Sequence, residues 1–124
     1  MAIVRFREGF HGIYEVGDQK LEIGNRKIRP YDMTYGAVAS CLYATLLGYA
    51  KEQGLHIDGA DVVVDGVKRE TSPSTLEHVT ILIRIDSPES MDALQKAMDF
   101  AMANCSMVAT VAMVAKIDAS IEKK

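Results

Sequence analysis

The chain is poor in cysteine, with two among 124 residues, far too few for a disulfide scaffold. It carries no run of basic residues, and its formal net charge is −3. No bulk positive field therefore invites nucleic acid or an anionic membrane, and neither is expected as a partner. No Gly-rich phosphate loop, internal repeat or linker interrupts it. Residues 1–8, MAIVRFRE, lack the apolar core of a secretion signal. A cytoplasmic protein whose cysteines are mostly thiols is the expectation. His11, His56, His78 and the two cysteines lie too far apart to form short-spaced ligand pairs, so no metal and no other cofactor is expected. There is no G-x-S-x-G elbow, and Ser40 falls within a helical pattern, which argues against a serine hydrolase.

What is present is apolar material: 48% of the residues, enough for a real core. The length fits one domain over residues 1–124. Residues 33–50 carry no charge for 18 positions, close to a membrane-spanning length. Thr34, Tyr35, Gly36, Ser40, Tyr43, Thr45, Gly48 and Tyr49 weaken that reading, and a helix buried on nearly every side fits better.

The hydrophobic pattern predicts βββ-α-ββ-α-β. Residues 2–7, 10–16 and 20–23 read as a three-stranded meander, with Gly17-Asp18 and Gly24-Asn25 as turns. A helix is expected over about 32–53. Pro30 precedes it, Asp32 lies in its first turn and Gly54 stops it. Strands follow at 61–67 and 78–86, the second alternating Val79, Ile81, Ile83 and Ile85 against Thr80, Leu82 and Arg84. A second helix begins near Ser87-Pro88-Glu89-Ser90, either serine being a possible N-cap. It places Met91, Leu94, Met98, Ala101 and Cys105 on one face. The last strand alternates Met113, Ala115, Ile117, Ala119 and Ile121. Consecutive strands and separated helices argue for an α+β fold.

Cys41 and Cys105 have two readings. A free cysteine packs like a small hydrophobe. A nucleophilic one needs a nearby cation to favour the thiolate, and Cys41 sits too deep in its own helix to use that helix's dipole. The six remaining methionines after Met1 are scattered as core fillers are.

Pro30-Tyr31-Asp32, then Cys41 in the long helix, then Asn104-Cys105-Ser106-Met107-Val108 closing the second helix, together resemble the OsmC/Ohr family. That is the family of osmotically inducible protein C and the organic hydroperoxide resistance proteins, and the likeness is nearest its short OsmC-like branch. The resemblance implies an intertwined homodimer and a thiol-dependent peroxidase that reduces organic hydroperoxides, recycled by a dithiol reductant. It implies that Cys41 is the peroxidatic thiol and Cys105 the resolving one. It further implies an Arg–carboxylate pair beside Cys41, with Asp32 orienting Arg26 or Arg29; Asp32 as a plain helix cap is the alternative. This sequence departs from the family at Gly9-Phe10-His11-Gly12, where one branch carries an arginine, and at Ser106, where a proline is usual. A non-catalytic dimer that holds an apolar small molecule is the competing reading, and a normal or raised Cys41 pKa would favour it.

Overall fold

A computed structural model describes all residues, 1–124, and divides them into two compact units, residues 1–35 and 36–124. In the first unit, strands β1 (Ile3–Phe6), β2 (His11–Val16) and β3 (Gln19–Gly24) form an antiparallel meander in that order. Its rows follow the two-residue alternation: Val4 faces Tyr14 and Tyr14 faces Leu21, while Arg5, Ile13 and Glu22 share the next row. Gly24 is obligatory here. Its φ of +122° is a glycine conformation, and a Cβ would lie 2.1 Å from the Phe10 carbonyl oxygen.

Helix α1 (Pro30–Glu52) begins in this unit and continues through the second. The Asp32 carboxylate accepts the Arg29 amide at 2.9 Å, the backward half of a capping box, and Pro30 occupies the first turn, where no amide partner is needed. The far end closes as the sequence predicts. Gly54 takes φ +70°, and the amides of Leu55 and Gly54 donate to the carbonyls of Ala50 and Lys51.

The second unit holds β4 (Gly59–Lys68), β5 (Leu76–Asp86), α2 (Met91–Asn104), α3 (Ser106–Ala112) and β6 (Lys116–Lys123). The sheet order is β4-β5-β6, with β4 antiparallel and β6 parallel to β5. A parallel neighbour needs a crossover, and α2 and α3 supply it. Val79, Ile81, Ile83 and Ile85 are all buried, as their alternation requires. Leu94, Ala97, Met98, Ala101 and Cys105 are buried along α2, but Met91 is exposed. Ser90 is the N-cap and accepts the Ala93 amide, while Ser87 donates to the His56 carbonyl.

Three expectations need correction. Residues 106–112 form a third helix, so the order is βββ-α-ββ-α-α-β. Met113 and Ala115 precede the last strand; Met113 caps α3 and is 85% exposed. Within this chain α1 is buried along one line, Val38, Leu42, Leu46 and Ala50, not on nearly every side; Tyr43 is half-buried and Leu47 exposed. Fully burying a side chain such as Leu42 or Leu46 stabilises by about 1.5–3 kcal/mol each. No helix is long and apolar enough to cross a membrane.

Candidate active site

The Tyr49 and Phe100 rings stack at 4.8 Å and hold α1 beside α2. Towards the start of α1 comes Cys41; towards the end of α2 comes Cys105. Because Cys41 also meets Ser106, just past the end of α2, the two helices run antiparallel along this contact. Cys41 lies next to the buried line of α1 and is half-buried, whereas Cys105 is 1% exposed.

Cys105 is the hinge between two helices. Its extended backbone ends α2, with its amide donating to the Ala101 carbonyl, and begins α3 as N-cap. Its sulfur accepts the Val108 amide at 3.5 Å, a task more often given to a Ser or Asp oxygen. At the start of α3 the Val108 amide is bound to the Cys105 sulfur, and the amides of Met107 and Ser106 favour the Cys41 thiolate. The Ser106 hydroxyl adds a contact of 3.6 Å to the Cys41 sulfur.

These donors shift the thiol. The Met107 amide, the Ser106 hydroxyl, the Cys105 thiol and the Ser106 amide together bring the Cys41 pKa from 9.0 down to about 7, against a smaller opposing effect of burial. All of these donors are neutral, and none is the cation that the sequence led us to expect beside Cys41. At neutral pH about half of such a thiol is thiolate, against a few per cent of an ordinary one. Cys105 moves the other way. Burial raises it, and the Cys41 sulfur raises it further, while the Val108 and Met107 amides pull in the opposite direction. The pair therefore holds an acidic, accessible sulfur beside a buried one that keeps its proton. That arrangement suits nucleophilic attack by the first and subsequent capture by the second.

The activation missed in sequence comes from another helix. Cys41 is indeed too deep in α1 to use that helix's own dipole, but the amides at the start of α3 reach it instead. No motif marks residues 106–107 for this role. The serine standing where a proline is usual is the only trace of it.

Asp32, Arg29 and Arg26 all lie in the first unit. Asp32 serves as the helix cap described above. The Arg29 guanidinium donates to the Asn25 side-chain oxygen at 3.4 Å and lies 6.0 Å from the centre of the Phe10 ring. Arg26 takes φ +63° in the turn after β3. No group of three or more His, Cys, Asp or Glu is placed to hold a metal ion.

The family model described as OsmC-like protein matches residues 23–120. No curated protein matches the sequence. Among solved structures, an OsmC-like protein from Mycoplasma pneumoniae superposes with a TM-score of 0.90 at 17% identity, over 99% of this chain and 95% of that one. The organic hydroperoxide resistance protein OhrB of Bacillus subtilis gives 0.74 at 19% identity, over 98% of both chains. An organic hydroperoxide resistance protein OsmC from Legionella pneumophila, described as a predicted redox protein, gives 0.76 at 15% identity, over 98% and 96%. These likenesses establish a shared fold.

Proposed function

The chain belongs to the OsmC-like protein family, and on that premise we propose that it is a thiol-dependent peroxidase acting on organic hydroperoxides. The observation that carries this reading is the Cys41 sulfur, 3.6 Å from the Ser106 hydroxyl and within reach of the Met107 amide and the Cys105 thiol, with its pKa lowered to about 7. The lowered value disfavours the purely binding alternative.

In the proposed cycle the Cys41 thiolate attacks one peroxide oxygen. The S–O bond forms as the O–O bond breaks, and the alkoxide leaves and takes a proton from water. Sulfur is oxidised to a sulfenic acid and the peroxide is reduced to an alcohol. Cys105 then attacks that sulfur; an S–S bond replaces S–O, and hydroxide departs with the Cys105 proton as water. An external dithiol opens the disulfide by exchange and returns both cysteines to the reduced state. No metal or organic cofactor enters the cycle.

The Arg–carboxylate pair remains part of the proposal, with Asp32 and either Arg29 or Arg26 assisting Cys41. What supports it is the family pattern at Asp32 and Cys41. One domain over residues 1–124 is also proposed, because the family match runs across the boundary between the two units. A homodimer is supported by α1, whose half-buried Tyr43 and exposed Leu47 flank its single buried line; a monomer in analytical ultracentrifugation at micromolar concentration would argue against it. A cycle that depends on reduced thiols suits the cytoplasm.

The decisive measurement is consumption of cumene hydroperoxide with a dithiol reductant. The wild type should consume it and Cys41→Ser should not. An inactive wild type, or a fully active Cys41→Ser, ends the peroxidase reading.

A further inference from the structure

We propose that the Ser106 hydroxyl is a positioning group for the Cys41 sulfur, donating a hydrogen bond to it whenever the thiol is ionised. The inference rests on the reading that Cys41 is the reactive thiol. Ser106 is exposed at the start of α3, and its oxygen lies 3.6 Å from the Cys41 sulfur.

Two features of the chain set this hydroxyl apart. A serine at a helix start ordinarily caps an amide, yet here the capping is done one residue earlier by the Cys105 sulfur, which holds the Val108 amide. The better capping oxygen is turned instead towards Cys41. Second, the contact can reverse. While Cys41 is a thiol, either atom can donate. Once Cys41 is ionised only the hydroxyl can, and its rotor is free to turn. A hydrogen bond to an anion is shorter and stronger than one between neutral groups. The contact therefore favours the thiolate over the thiol, and it tethers the sulfur to the start of α3.

The test is the pH profile of iodoacetamide labelling at Cys41 in the full chain, read on the Cys41 peptide by mass spectrometry. It compares the wild type with Ser106→Ala, Ser106→Gly and Ser106→Thr. Circular dichroism confirms that each variant is folded, and the exposed position of Ser106 makes that the expected result. The midpoint should rise by about one unit in the alanine and glycine variants. Thiolate at pH 7 then falls from about a half to about a tenth, and labelling slows about fivefold. Threonine keeps the hydroxyl and should restore the wild-type midpoint. An unchanged midpoint in the folded alanine and glycine variants, or a threonine variant that matches alanine, overturns the role of Ser106. Because labelling needs no peroxide, a wild type that fails to turn over peroxide would sink the peroxidase reading separately and leave this result intact.

Discussion

The thiols of Cys41 and Cys105 shift in opposite directions: the influence of each on the other lowers Cys41 and raises Cys105. The start of the short helix α3 influences both: the Val108 amide donates to the Cys105 sulfur, and the Met107 and Ser106 amides lower Cys41.

Labelling should therefore discriminate between them. In the folded protein iodoacetamide should modify Cys41 with a midpoint near pH 7 and spare Cys105, which is buried with a raised pKa. From about pH 6 to about pH 8 the Cys41 rate should climb about tenfold, where an unshifted thiol would climb about a hundredfold. The hundredfold rise would mean the donors at the start of α3 do not act on the sulfur.

Removing the resolving thiol should stall the proposed cycle at its first product. Cys105→Ala should react once with cumene hydroperoxide and then accumulate a sulfenic acid at Cys41 that dimedone traps, with multiple turnover lost. Sustained wild-type turnover in Cys105→Ala would show that resolution does not need this residue.

Stability should carry the same signature. Cys41 has a folded pKa below its ordinary 9.0. Between about pH 7 and about pH 9 the unfolded chain thus holds more protons at this site, so stability rises with pH there. The contribution is complete above about 9 and is lost as pH falls through about 7. Urea midpoints of wild type and Cys41→Ala, measured across that range, should diverge in favour of the wild type as pH rises. Parallel curves would count against the shift.

Asp32 has a structural task that can be measured apart from any chemistry. Asp32→Ala removes the acceptor of the Arg29 amide and should cost about 0.5–2 kcal/mol in urea denaturation, as loss of a helix cap typically does. An unchanged midpoint would show that water replaces the carboxylate without loss.

Much of the fold was legible because its periodicities are clean. The alternation at Val79, Ile81, Ile83 and Ile85 belongs to a strand buried on one face, and Gly54 closes α1 as its position predicts. The stretch Ser106–Ala112 was not legible. It follows α2 with neither Gly nor Pro to mark a break, and the break consists only of the extended backbone of Cys105. Met113 and Ala115 continue the alternation of Ile117 and Ile121 by coincidence, because a two-residue period does not mark where pairing begins. At the site, both cysteines were visible as residues, and the position of Cys105 on the α2 face was correct. The source of Cys41's acidity was not visible, because backbone amides carry no sequence signature and they arrive from a helix the pattern did not reveal.

The Ser106 hydroxyl lies 65 residues downstream of the sulfur it touches. A nascent chain leaving the ribosome thus exposes Cys41 long before Ser106 and Met107 have been synthesised. During that interval it carries an ordinary, mostly protonated thiol. Acidity at Cys41 therefore belongs to the folded chain alone and arrives when the crossover brings Ser106 and Met107 to it.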